Sequence, residues 1–355
     1  MFMYCLNIKD LDIDVDDNEC LLIFLSEKSV EMAEDIIKFL NDKNIKFAGG
    51  IFPSVLNNGE MYNTGMVIKK LPIIGDINLI DMSSESENSY FNNIEEMKGK
   101  TLLVLVDGLS TYITTFIKKA FNELTTTVKY IGGGAGNLDF SRKPCVFNKE
   151  GIFIDHAIIF CINKNLDLIV EHGWKKLIGP FILNKVNKNI IYEINWKDAF
   201  TIYKTAIKDF GESITIENFM NISKGYPLGI ERMEGSIVVR DPIAVNEKGE
   251  LICVSEVSKK EPVYILKGDQ EDILRSVENM YETHLKNLEE NKNILYFDSI
   301  SRAMFLEEKF EPLINRLKSY EGLAFDGALT IGQISSYGDG YIEFLNKSLV
   351  IGIIK

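Results

Sequence analysis

The sequence predicts an α/β protein of the mixed α+β kind: two domains with mixed β-sheets flanked by helices, built from repeated strand-helix-strand-hairpin units. Three observations carry this. First, the run Leu102-Leu103-Val104-Leu105-Val106 is continuously apolar, as in a strand buried on both faces beneath helices. Second, its sequel returns near the C-terminus. Asp107-Gly108-Leu109-Ser110, a helix, Tyr130-Ile131-Gly132 and a strand pair with Phe147-Asn148-Lys149 align with Asp298-Ser299-Ile300-Ser301, a helix, Phe325-Asp326-Gly327 and a strand pair with Leu345-Asn346-Lys347. Third, a fainter copy runs from Leu22-Ile23-Phe24-Leu25-Ser26 to Phe47-Ala48-Gly49-Gly50. Three aromatic-x-Gly sites thus follow three strand-helix units, as duplicated supersecondary units would give.

In chain order, Asp10, Asp12, Asp14 and Asp16 alternate with Leu11, Ile13 and Val15, which predicts a half-exposed strand. Val15 and Leu21 stand where a calcium loop would need glycine and glutamate. Val30, Ala33, Ile36, Ile37 and Leu40 have helical spacing. Asn58-Gly59 marks a turn before the strand Met66-Val67-Ile68, and residues 83–93, rich in Ser, Glu and Asn, predict an exposed loop. The glycines after Tyr130-Ile131 predict a loop over residues 132–137. Strands follow at residues 152–154, 157–162, 166–170 and 190–194, then a helix over 196–208. A boundary near Asn189 gives domains of residues 1–189 and 190–355. The second domain opens with strands at 236–240 and 251–254, joined by a Lys248-Gly249 turn, and continues with a strand at 261–266 and a helix over 269–288. Residues 348–354 close it as a last strand.

A net charge of -13 opposes binding to phosphate backbones, so nucleic acid is not an expected partner. No apolar run is long enough to cross a bilayer and no leader pattern opens the chain, which reads as cytoplasmic. Cys5, Cys20, Cys145, Cys161 and Cys253 are scattered and odd in number, with no C-x-x-C pair. They are expected to be buried, reduced apolar residues, with no metal site.

The glycine stretch is not a phosphate loop, because it runs on as Asn137-Leu138-Asp139-Phe140 where a P-loop needs Gly-Lys-Ser/Thr. Its glycines let the backbone approach either a packed strand or a small ligand closely. Asp107 and Ser110 either cap the helix after the apolar strand or face a ligand from its end. Ser110 as a hydrolytic nucleophile is a remote alternative, since Gly108-Leu109-Ser110-Thr111-Tyr112 lacks the second glycine of a nucleophile elbow. His284 lies in an amphipathic helix, and His156 in an apolar run as a core histidine. His172, beside Gly173-Trp174, is either structural or the candidate for ligand contact or axial haem ligation. Arg240, before Asp241-Pro242, and Arg302, at a helix start, either hold a ligand carboxylate by paired hydrogen bonds or form salt bridges to Asp241, Asp298 or a neighbour.

With these motifs placed, the chain resembles the FIST family, a sensory domain of prokaryotic signal transduction that also occurs in some F-box proteins. Residues 103–108, Ile131-Gly132-Gly133-Gly134-Ala135-Gly136-Asn137 and His172-Gly173-Trp174 carry the N-terminal resemblance. Tyr226-Pro227-Leu228-Gly229, Val238-Val239-Arg240-Asp241-Pro242, residues 298–302 and Gly332-Gln333-Ile334 carry the C-terminal one. Ser299 stands where the family often has cysteine, and Gln333 where it usually has glutamate. The resemblance implies a non-enzymatic sensor of small molecules, with amino acids or similar small carboxylates as the ligand class. Its signal would pass to a partner such as a histidine kinase, diguanylate cyclase or chemoreceptor. Haem-based sensing of nitric oxide is the alternative, with His172 as ligand. The expected ligand-binding residues are Asp107, Ser110, Gly132, Gly133, Gly134, Gly136, Asn137, Arg240, Asp298, Ser301, Arg302 and Gln333, with no cofactor.

Overall fold

The computed structural model describes residues 2–10, 13–84, 89–91, 94–232, 235–288, 292–337 and 340–354. Three parallel strand pairs, each bridged by helix, organise it: Glu19–Ser26 with Phe47–Phe52, Thr101–Asp107 with Lys129–Ala135, and Lys292–Ser299 with Leu323–Thr330. The first strand of each pair also lies antiparallel to a third strand, respectively Met66–Asp81, His156–Ile162 and Leu349–Ile354. One register serves all three units. Ile23 faces Gly49 and Ile68, Val104 faces Gly132 and Ile159, and Tyr296 faces Gly327 and Ile351. The three aromatic-x-Gly sites are therefore equivalent positions of a repeated unit.

The same register corrects part of the sequence alignment. Counting along the strands from Val104 and Tyr296, Asp107 matches Ser299 and Ser26, while Asp298 matches Val106. Because strand side chains alternate, Asp107 and Asp298 point to opposite faces of their sheets. Phe147-Asn148 matches Leu56-Asn57 in the first strand of a hairpin, whereas Leu345 ends the second strand of another.

The hairpin after each unit's second strand joins a different unit. Ser54–Asn57 from the first pairs with Leu323–Thr330 of the third, Gln333–Tyr337 from the third with Lys129–Ala135 of the second, and Val146–Asn148 from the second with Phe47–Phe52 of the first. The exchange closes a ring. The third strands close it again on the other side: Asn78 faces Ile159, Ile169 of Leu166–Glu171 faces Ile351, and Met3 of Phe2–Cys5 faces Ile68. Strand Phe2–Cys5 thus takes, beside the first unit, the seat that Leu166–Glu171 takes beside the third.

The ring's strands are apolar on both faces because both are covered. The equivalent residues Phe24, Leu105 and Phe297 share one core, with Phe24 and Phe297 rings 5.7 Å apart. On the other face Leu102, Val104 and Val106 pack with Phe116, Ile117 and Ala120 of helix Ile113–Leu124. Gly132, Gly133 and Gly134 lie inside strand Lys129–Ala135 rather than in a loop. A Cβ on Gly132 would stand 1.8 Å from the Val104 carbonyl oxygen, and one on Gly327 1.8 Å from that of Tyr296. Of the two readings of these glycines, close approach to a packed strand is the one that the ring uses.

Between the second and third units the chain inserts an eight-stranded antiparallel sheet, running from Lys175–Asn187 to Pro262–Lys267, with helices Ala199–Lys208 and Phe219–Ser223. Asn189 sits in a turn of this sheet, and strands from both sides of it meet in all three sheets. The turn ending at Gly249 joins Pro242–Val245 to Leu251–Cys253, not the strand at Ile237–Arg240 as expected. The acidic N-terminal segment forms no strand over its described residues: Ile8–Asp10 is a short helical turn, and Ile13 and Val15 pack half-buried on the core instead of joining a ladder. Leu11 and Asp12 lie outside the described residues, as do residues 85–88 and 92–93 of the expected loop. Among the described residues no helix is long and apolar enough to cross a membrane.

One polar tie secures the exchange. Fully buried Asp326 accepts hydrogen bonds from Asn57 Nδ2 at 2.7 Å and Asn58 N–H at 2.6 Å. Burial pushes its carboxyl up to about 6, against those bonds and the Lys69 charge. Between about pH 4 and 6 the folded state then holds a proton that the unfolded chain has released, so stability falls as pH rises through that window. Asp326→Asn is expected to remove this slope, about 3 kcal/mol in all. Urea unfolding from pH 4 to 7 measures it, and an unchanged profile would contradict the assignment.

Candidate ligand-binding site

The inserted sheet meets the ring at the step from Arg240, which ends one strand, to Asp241, which precedes Pro242–Val245. Each of these neighbours borders a different cavity. Asp241 borders one of about 120 Å³, with Ser223, Ser301, Met304, Lys347 and Phe140. Arg240 borders one of about 60 Å³, with Ser110.

In the larger cavity, Lys347 Nζ lies 3.2 Å from Asp241 Oδ2, and both side chains are almost wholly buried. The same ammonium stands 5.5 Å from the centroid of the Trp174 ring. Burial pulls the Lys347 pKa down and pushes that of Asp241 up, and their mutual attraction opposes both shifts. Ser301, at the same cavity, also acts to lower the Asp241 pKa. The Ser223 hydroxyl, also at the cavity, is buried without a partner. Such groups carry a desolvation cost that a polar ligand could offset.

Local backbone places Lys347. It has a left-handed φ of 50° in the turn between strands Tyr341–Leu345 and Leu349–Ile354. Four residues before Ile351, it holds the seat that Asp155, with φ 56°, holds before Ile159. A chain of side chains braces the turn: Gln333 Oε1 accepts from Ser348 N–H at 3.3 Å, Gln333 Nε2 donates to Thr330 Oγ1 at 2.9 Å, and Thr330 Oγ1 donates to the Asp298 carbonyl at 3.2 Å.

Arg302 and Asp298 form a fully buried pair, Nε to Oδ1 at 2.7 Å and Nη2 to Oδ2 at 2.8 Å. Tyr296 Oη and Ser299 N–H also donate to this carboxylate. Most of the Arg302 fork is thus taken by protein, although Nη1 is buried without a partner. Arg240 likewise donates to the carbonyls of Glu256, Val239 and Phe344 at 3.0–3.2 Å.

In the second unit, Asp107 accepts from Leu109 N–H at 3.1 Å and Asp155 N–H at 2.9 Å. Ser110 Oγ donates to Asp155 Oδ1 at 2.6 Å, where Arg142 also binds, so its partner is a carboxylate and not an imidazole. Against the effect of burial, Arg142 and Ser110 hold the Asp155 carboxyl below its ordinary range. Asn137 makes one long bond to the Ser141 carbonyl, and Gly136 packs on Ile331. His172 Nδ1 accepts from Trp174 N–H at 3.0 Å, and burial plus the Arg302 charge lower its pKa to about 4. It borders neither cavity.

Of the expected residues, the structure brings Ser301 to the larger cavity and Ser110 with Arg240 to the smaller one, with Asp298, Arg302 and Gln333 as supports behind the first. Gly132, Gly133 and Gly134 serve strand packing. Lys347, Asp241 and Ser223 were not expected as ligand contacts. The available signal was a lone lysine just before the all-apolar run from Leu349 to Ile354.

Among the described residues no group of His, Cys, Asp and Glu is placed to hold a metal ion. Comparison with curated proteins finds no match. The FIST N domain model matches residues 20–197 and the FIST C domain model residues 199–336. The chain belongs to the FIST family, whose domains are associated with sensing small ligands in signal transduction.

Proposed function

We propose that the protein is a non-enzymatic sensor of an amino acid or similarly small carboxylate, bound in the 120 Å³ cavity where the inserted sheet meets the ring. The observation that carries this reading is the buried Lys347–Asp241 pair, with the hydroxyls of Ser301 and Ser223 at the same cavity. An α-amino acid presents one carboxylate and one ammonium, and so can divide this pair, its carboxylate going to Lys347 and its ammonium to Asp241. The volume is below the roughly 300–1,000 Å³ of drug-sized sites, which favours a ligand of a few heavy atoms over a macrocycle. Helix Phe219–Ser223, which supplies Ser223 to the cavity wall, would carry the bound state outward to a separate signalling protein such as a histidine kinase, diguanylate cyclase or chemoreceptor.

Calorimetric titration with amino acids and short dicarboxylates tests this, together with NMR of the recovered ligand. The expected result is binding of at least one such ligand, recovered unaltered. Ser301→Ala, which removes one hydroxyl, should weaken binding about three- to tenfold, with the melting temperature held. Lys347→Met should weaken it at least tenfold. No binding by any member of the set, or wild-type affinity in both variants, would sink the assignment.

A further inference from the structure

We propose that the smaller cavity is a separate site for a tetrahedral oxyanion of phosphate size, at the N-terminus of helix Ile113–Leu124. The cavity is lined by Ser110, Thr111 and Thr114 around the helix start, by Arg240 at a strand end of the inserted sheet, by Ser255 and Glu256 just past its strand Leu251–Cys253, and by Lys188 from the turn beside Asn189. The first N–H groups of a helix lack partners within it and carry its positive dipole end. Local answers are few: Ser110 Oγ accepts from Tyr112 N–H at 3.2 Å, but Tyr112, at the cap position, supplies no side-chain acceptor, and the first turn contains no acid. The nearby Asp107 carboxylate is turned to Leu109 N–H, Asp155 N–H and Arg142, and does not line the cavity.

A second observation is independent of the helix. Ser255 lines this cavity, is only 7% exposed, and has its Oγ buried without a hydrogen-bond partner. Buried hydroxyls of this kind are rare unless something outside the protein meets them. Among the lining residues Lys188 and Arg240 are cationic and only Glu256 is anionic, and the Arg240 guanidinium is fixed by three carbonyls rather than by a bidentate carboxylate. Glu343 approaches it at 3.7 Å. Counting Glu343, cations and anions balance here while the chain carries a net charge of -13, so attraction comes from the helix start and the unpartnered hydroxyl and not from the molecule as a whole. The volume, about 60 Å³, suits a handful of water-sized atoms, which is the scale of a five-atom oxyanion.

The site stands apart from the carboxylate site, since Lys347 and Asp241 border the other cavity. Titration of the full-length protein with sodium phosphate, in a chloride background of constant ionic strength, tests it by calorimetry and thermal unfolding. The expected result is one phosphate per chain and a raised melting temperature, with sulfate, which has the same shape, also binding. Lys188→Gln, at an exposed position, and Thr114→Val, at a half-buried one, should each weaken phosphate binding at least fivefold. Ser255→Ala should weaken it without lowering the melting temperature of the free protein. Lys347→Met should bind phosphate as the wild type does, whatever becomes of its carboxylate binding. The proposal is overturned if phosphate stabilises no more than chloride, if all three cavity variants bind as tightly as wild type, or if Lys347→Met alone abolishes binding.

Discussion

Replacing Arg302 by methionine is expected to destabilise the protein by about 3–5 kcal/mol, the usual range for removing one partner of a buried ion pair. The change strands the Asp298 carboxylate at zero exposure with only Tyr296 Oη and Ser299 N–H as donors. Because Asp298 also fixes Thr330 through its carbonyl, and Thr330 fixes Gln333, the loss should reach the turn that holds Lys347. The double change Asp298→Leu with Arg302→Met should cost less than the single one, since a buried pair replaced by apolar side chains is often neutral. Chemical unfolding of the two variants separates these cases. A single-variant loss below about 1 kcal/mol, the scale of an exposed pair, would contradict the geometry.

Alanine at Gly132 or Gly327 is expected to do as much damage, on the order of 4 kcal/mol or more, at the extreme of single substitutions. At both positions the new methyl would sit 1.8 Å from a backbone oxygen of the neighbouring parallel strand, which cannot move without opening the ladder. At the equivalent Gly49 the methyl would instead meet the tip of the Phe147 ring at 2.2 Å, and a ring can turn aside, so a smaller loss is expected there. Gly75 is the control: it has φ 70° and nothing within 4 Å of a Cβ, so Gly75→Asn should cost about 1 kcal/mol or less. Thermal unfolding ranks the four variants, and equal losses at Gly132 and Gly75 would refute the account.

The repeated unit was legible because its demands are local. An apolar strand buried on both faces and a glycine that lets two backbones touch both leave marks at fixed spacing. Where those marks are ambiguous, the sequence alignment slipped. Asp107 and Asp298 look alike in sequence, yet they differ by one residue in register, and the difference decides which face of the sheet each occupies. The exchange of hairpins left no mark, because Ser54–Asn57 reads as the same strand whether it pairs with its own unit or with Leu323–Thr330. The larger cavity was half legible. Ser301 stands out after a strand, but Lys347 and Asp241 belong to segments more than a hundred residues apart, and only folding makes them partners.

The cyclic exchange makes the three units behave like people with linked arms, each holding a neighbour and none able to let go alone. A cut between residues 197 and 199, where the two family domains meet, would leave Lys129–Ala135 without Gln333–Tyr337 and Leu323–Thr330 without Ser54–Asn57. Each half would then display a bare strand edge, the surface on which chains aggregate. The names of the two domains therefore mark segments of sequence rather than parts that can be handled separately, and a fusion, a tag or a split reporter has to respect the whole loop of arms.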